Sequence, residues 1–221
     1  MKITNLYLET NNLAHSITFY QNTLGLSIVE QTEKMVRFQA GETLLTFTEN
    51  KNQTPFYHFA FNIATNHLEQ AIAWAQANQI ELLPSPKNEI ITHFDAWKAE
   101  SIYFWDLNGN LLEFIARTDI QTQKEQSFSP KEMLNISEIG IVTAHPMLTA
   151  EAIMQQTGLE YFSKSEPLPE FCAIGDDEGL LIFVNPQRNW YPTQLKAQPS
   201  TATIELEVNH NLHTILASDW K

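Results

Sequence analysis

Residues 133 positions apart match along much of this chain. Leu6 and Leu8 correspond to Ile139 and Ile141, Gly25-Leu26 to Gly158-Leu159, Phe38 to Phe171 and Ala40 to Ala173. After a small insertion, Leu44-Leu45-Thr46-Phe47 is echoed by Leu180-Leu181-Ile182-Phe183, and 203–208 (TIELEV) stands where 58–63 stood. Self-similarity at a fixed spacing means a duplicated structural unit, because each copy needs a twin against which to bury its apolar face. That requirement removes most topologies open to a chain of 221 residues.

Within the first copy the periodicities divide again. Residues 2–9 alternate as a strand, with Leu6 and Leu8 on one face and Asn5, Tyr7 and Glu9 on the other. A helix is expected over 12–24, where Leu13, Ile17, Tyr20 and Leu24 recur at helical spacing and Gly25 follows as the stop. Strands follow at 26–31, 34–39 and 43–49. The same order then returns: a strand over 56–63, a helix over 66–78, a strand over 79–83, and a hairpin over 101–117 turning at Asp106-Leu107-Asn108-Gly109-Asn110. Residues 1–117 thus read as one module of two βαβββ units. A polar linker (118–134) leads to a second, degenerate and truncated module (135–221), since no complete fourth unit fits before Lys221. The expected class is α+β, with paired βαβββ units forming a cupped mixed sheet and helices outside.

One residue of the hairpin stands out. Glu113 shares its strand face with Leu111 and Ile115, and a carboxylate among apolar neighbours is costly to bury without compensation. In 56–63, His58 shares a face with Phe56, Ala60 and Asn62, while Phe59, Phe61 and Ile63 form the helix-packing side. Other histidines carry less: His15 and His67 fall on the polar sides of their helices and are expected in solvent, and His93 lies in a loop near the mouth of the cup.

Composition narrows the partners. A net charge of −13 argues against nucleic acid and anionic membrane surfaces. Cys172 is the single cysteine, so an intrachain disulfide and a Cys-built zinc site are excluded, and its strand-like setting predicts a buried, inert thiol. Nothing resembles a signal peptide or a membrane span, which leads us to expect a cytoplasmic protein.

The stretches HSITFYQNTLGL, PFYHFAFNIATNHLEQAI and SIYFWDLNGNLLEF together resemble the vicinal oxygen chelate superfamily, which includes glyoxalase I, extradiol dioxygenases, fosfomycin-modifying thiol transferases and bleomycin-binding proteins. The resemblance covers nearly all of 3–117 and is weaker over 136–208. It implies a cup holding a divalent metal (Fe, Mn, Zn or Ni), with ligands from the first strand of each unit and the last strand of the module. On this sequence those positions are Asn5, His58 and Glu113. Asn5 stands where the metalloenzymes place His, and an amide oxygen is a poor partner for imidazole around zinc or ferrous iron. Thr46 replaces the Glu a glyoxalase needs, and no Lys-rich loop like that of fosfomycin-modifying relatives is present, which argues against both activities. In the second module Glu138 and Thr203 fall at the two first-strand positions, and a second metal site is not expected there.

The implied substrate-binding residues are Tyr7, Thr46, Tyr103 and Trp105, with Phe94 and Trp97 in the adjoining loop. Two functions follow. One is a divalent-metal-dependent dioxygenase or lyase with an atypical site. The other is a metal-free small-molecule binding or antibiotic-sequestering protein, in which His58 and Glu113 pair with each other. The chain is expected either to pair its modules internally as a monomer or to form a homodimer that covers the open edge of the truncated half.

Overall fold

The computed structural model describes residues 1–120 and 122–217; Gln121 of the linker and the last four residues of the second module lie outside them. The first unit is β1 (Lys2–Thr10), α1 (Leu13–Ile17, prolonged by a π-type turn over Thr18–Thr23), β2 (Ser27–Gln31), β3 (Met35–Ala40) and β4 (Thr43–Glu49). The second is β5 (His58–Ile63), α2 (Leu68–Ala77), short strands β6 (Leu82–Leu83) and β7 (Thr92–Phe94), then β8 (Ala99–Trp105) and β9 (Leu111–Arg117). The third is β10 (Asn135–Val142), α3 (Pro146–Thr157), β11 (Phe171–Asp176) and β12 (Gly179–Val184), and the fourth is reduced to β13 (Ala202–Val208) and β14 (Asn211–Leu216).

The units join across the two halves. One sheet runs β14-β13-β1-β4-β3-β2, and the other β11-β12-β10-β5-β9-β8-β6 with β7 beside β8. β1 is antiparallel to β13, with Leu6 opposite Ile204, and β5 is antiparallel to β10, with Phe59 opposite Ile139. The first unit therefore shares a sheet with the fourth, and the second with the third. This corrects the expectation that the two units of residues 1–117 close one cup between them.

The linker explains the pairing. Far from being a loose polar spacer, it lies along α2. Thr65 N–H donates to the Thr122 carbonyl at 2.9 Å, and Phe128 N–H donates to Gln70 Oε1 at 2.7 Å. Phe128 packs edge-on to Phe114 and Trp74, and burying such a ring contributes about 2 kcal/mol. Leu134 N–H then donates to the Asn62 carbonyl at 2.8 Å, which delivers Asn135 opposite Asn62 and sets β10 against the free edge of β5. His67, expected in solvent, is fully buried by this strap of chain, with Nε2 3.0 Å from the Gln126 carbonyl.

The helix-facing sides of both sheets make one core. Leu6, Phe38 and Phe47 meet Phe59, Phe61 and Phe114, with Tyr20, Leu68 and Ile153 from the helices. Tyr20 also donates from its hydroxyl to Asp106 at 2.8 Å, and Asp106 accepts the N–H groups of Asn108 and Asn110, so the expected turn is held by its own first residue. Cys172 is buried, as expected, and burial pushes its thiol up to about 12. His93 lies on β7, exposed, 2.9 Å from Glu100. Among the described residues no helix is long and apolar enough to cross a membrane.

Candidate metal centre

On the other face of the second sheet, strand register brings two carboxylates together. Ala60 on β5 stands opposite Glu113 of β9 on one side and opposite Glu138 of β10 on the other. A methyl between two acids leaves nothing to separate them. His58, two residues earlier on β5, shares that face, and one donor atom from each of His58, Glu113 and Glu138 lies within 4.8 Å of the others. All three side chains are buried. Among the described residues this is the one such group of three His, Cys, Asp or Glu side chains.

The ring of His58 is oriented from behind. Its Nδ1 lies 3.1 Å from the Leu111 carbonyl, so that nitrogen carries the proton and Nε2 turns its lone pair toward Glu113, 3.5 Å away. Burial lowers His58 to about 4, against the smaller opposing effect of the Leu111 hydrogen bond. Burial, and then the Glu138 charge, push the Glu113 carboxyl up to about 8. Glu138 is also raised by burial, but the Arg117 guanidinium opposes it. Near neutral pH His58 and Glu113 are thus a neutral pair rather than an ion pair.

Arg117 is the counter-charge that the sequence reading missed. It lies on the face of β9 that holds Glu113 and Ile115, its side chain has no exposed surface, and Nη2 donates to Glu138 Oε1. Its Nε reaches Asn62 Oδ1 at 3.3 Å and Nη1 reaches Asp177 at 3.4 Å. The spacing Glu113-x-x-x-Arg117 placed both on one strand face, and that parity was the available signal.

The cup above these groups is a cavity of about 190 Å³. Tyr103, Phe94 and Trp97 line it, joined by Trp190 and Tyr191 from the β12–β13 connection. Trp105 shares the Tyr103 face but packs on Phe56 outside the cavity, ring centres 6.2 Å apart. Asn5, Tyr7 and Thr46 belong to the first sheet and do not meet His58 or Glu113 in the lining of this cavity. Asn5 donates from Nδ2 to Glu205 at 2.6 Å, Tyr7 donates to the same carboxylate at 3.3 Å, and Arg37 Nε donates to Thr46 at 3.0 Å. The reason is the exchanged pairing: Asn5 sits at the β1–β13 seam, and its counterpart at the β5–β10 seam is Glu138. The place expected for Asn5 in the three-residue set is taken by Glu138.

The donor set passes a chemical test for a divalent ion. One imidazole and two carboxylates suit borderline and hard metals such as Mn, Fe and Zn, and the open side toward the cavity leaves positions for ligand oxygens.

Comparison with known proteins identifies the family. The family model described as Glyoxalase/Bleomycin resistance protein/Dioxygenase superfamily matches residues 2–114. The metallothiol transferase FosB of Staphylococcus haemolyticus is 31% identical over 117 residues, which is 50% of this chain and 80% of that protein. FosB of Staphylococcus epidermidis is similar to the same extent. Among solved structures, a putative dioxygenase from Bacillus subtilis superposes with a TM-score of 0.62 at 17% identity, over 83% of this chain and 63% of that one. At that identity the likeness is one of fold, and it reaches well past residue 117.

Proposed function

The chain belongs to the glyoxalase/bleomycin resistance protein/dioxygenase superfamily, the vicinal oxygen chelate group, and from that premise we propose that it is a divalent-metal-dependent enzyme of dioxygenase or lyase type acting on a small oxygenated molecule. The observation that carries the proposal is the convergence of His58, Glu113 and Glu138 at the floor of an aromatic cup. These three side chains would hold the ion. When bound, it would act as a Lewis acid toward two neighbouring oxygens of the ligand.

The chain's own groups have distinct tasks in this reading. The Leu111 carbonyl fixes the His58 tautomer and keeps Nε2 available. Arg117 holds one oxygen of Glu138, whose carboxylate lines the cavity. Glu113, whose carboxyl burial pushes up to about 8, would give off its proton to solvent as the ion is taken up. Tyr103, whose hydroxyl is raised well above its ordinary range by burial and then by Glu113, remains a neutral donor that can orient a ligand oxygen. The rings around the cavity exclude water. Of the activity named for the staphylococcal relatives, the proposal takes up the metal and assigns no thiol acceptor.

A second reading has a specific observation behind it. Arg117 already neutralises Glu138, and burial leaves His58 and Glu113 uncharged, so the cup is satisfied without an ion and serves as a metal-free binding site. Metal analysis separates the two. Protein purified without chelator, or titrated with Mn²⁺ after chelator treatment, is expected to take one ion per chain. His58→Ala, Glu113→Gln and Glu138→Gln should each weaken binding at least ~10-fold, the scale on which even supporting residues act. Asn5→His should change nothing. Failure to retain Mn, Fe, Zn or Ni at micromolar concentration would sink the enzyme reading and leave the binding one.

A further inference from the structure

The repeat is broken at one place beside the cup. The connection from β4 to β5 takes eight residues, 50–57, whereas the corresponding connection from β12 to β13 takes seventeen, 185–201. The added length does not trail into solvent. It folds on itself: Trp190 N–H donates to the Leu195 carbonyl at 2.9 Å, Ala197 N–H to Arg188 at 2.9 Å, and the Thr193 hydroxyl to the Trp190 carbonyl at 2.7 Å. The tied loop crosses the mouth of the cavity and inserts Arg188, Trp190 and Tyr191 into its wall.

Trp190 has a seat made for it. Its ring centre is 4.9 Å from that of His58, and it is 5% exposed. Beneath it lies Gly140, in the middle of β10, where a Cβ would come within 2.3 Å of the indole. Gly140 has no positive φ, so its lack of a side chain answers a steric need, chiefly that of Trp190, with the His58 carbonyl oxygen next at 3.3 Å. A glycine inside a buried strand weakens it, and here the weakness corresponds to a close approach. The indole N–H is buried and has no acceptor among the described residues. Tyr191, the next residue and also in the lining, lies edge-on to Tyr103 and Phe94 at 5.8 and 6.0 Å. The result is a slot between rings.

Charge enters at the rim. Arg188 is the one cationic side chain in the lining, stacked on Phe171 at 4.6 Å, and its nearest carboxylate, Glu170, stands at 3.9 Å, beyond hydrogen-bond range. The guanidinium is held by stacking and by a loose, half-exposed ion pair with Glu170, which an incoming carboxylate with bidentate hydrogen bonds would displace. The cavity of about 190 Å³ also limits size, since a cavity of about 150 Å³ is enough for benzene.

We propose that residues 185–201 form the specificity strap of this cup and that its ligand is a single-ring aromatic acid, the ring lying against Trp190 and the acid group meeting Arg188. The assignment rests on reading the cup as a ligand site but does not require an ion in it. Calorimetric titration of the chelator-treated protein with benzoate, phenol, cyclohexanecarboxylate and benzylamine tests it. Benzoate should bind one per chain, with phenol about 10-fold weaker for want of the charge-assisted bonds and cyclohexanecarboxylate about 5-fold weaker for want of stacking. Benzylamine should not saturate. Arg188→Gln should erase the benzoate-over-phenol preference and keep the ring preference; Trp190→Leu should do the reverse, and Gly140→Ala should imitate it by unseating the indole. Retained benzoate binding in a protein that takes no metal leaves the strap assignment standing and removes the metal centre. Metal uptake without saturable benzoate binding, equal binding of all four probes, or preference for benzylamine would overturn the strap assignment.

Discussion

At the scale of single residues, His58 and Glu113 pull stability in opposite directions with pH. His58 is lowered from 6.5 to about 4, so its contribution is complete above 6.5 and is lost as pH falls through 4. Glu113 is raised from 4.5 to about 8, so its contribution is complete below 4.5 and is lost as pH rises through 8. Between 4.5 and 6.5 the two slopes oppose each other; above 6.5 only the loss remains. Metal-free protein should therefore lose on the order of 2 kcal/mol between pH 6.5 and 8 in urea unfolding, and saturating Mn²⁺ should flatten the slope, because an ion replaces the proton on Glu113. An unchanged unfolding free energy across that interval would refute the buried neutral pair. Both residues were legible in the sequence, each as a polar group on an otherwise apolar strand face. Glu138 was visible too, at the repeat position of Asn5, but its partners were not. Strand parity says which face a side chain occupies and is silent on which other strand lies alongside.

Elements carry the next level of the argument, and the linker is the decisive one. Its composition reads as a polar spacer, yet Phe128 and Met133 are part of the core. Four apolar residues, Ile120, Phe128, Met133 and Leu134, scattered among thirteen others give no periodicity, which is why the docking on α2 could not be read beforehand. Where the linker ends, the first sheet depends on Gly41. It has φ +59, and a Cβ there would stand 2.1 Å from the Leu134 carbonyl oxygen, the acceptor for Glu42 N–H at 2.8 Å. Backbone cannot give way as a side-chain tip can. Gly41→Ala should cost about 1–3 kcal/mol or more, combining overpacking with an unfavourable φ. Gly109→Ala is the control, since its φ is +84 but nothing lies within 4 Å of the added methyl; it should cost about 1 kcal/mol. Equal midpoint shifts for the two variants in denaturant would contradict the contact with Leu134.

For the whole molecule, the exchange of units means that neither half owns a sheet. Residues 1–117 alone would expose the seam edges of both β1 and β5, each normally covered by a strand from beyond the linker. The full chain is expected to unfold in one calorimetric transition, with van't Hoff and calorimetric enthalpies in agreement. A fragment of residues 1–117 is expected to associate through those edges, and a folded monomer of that fragment by light scattering would contradict the exchange. The duplication, with a truncated second copy, was legible because it leaves matched residues. The partnering of the units was not, because every first strand offers a similar apolar edge, and the choice among them is made by one linker's path.

The exchanged pairing also orders events in time. A chain leaving the ribosome presents His58 first, then Glu113, and Glu138 only 25 residues later, and the wall that holds Trp190 comes later still. Until β10 has docked on β5, the first half carries two sides of a vessel with no third. The cup is therefore finished only after most of the polypeptide has been made, and a nascent chain has no complete site in which to trap an ion or a small molecule prematurely. Binding of an ion or small molecule of the kind proposed would therefore depend on completed synthesis as well as on affinity.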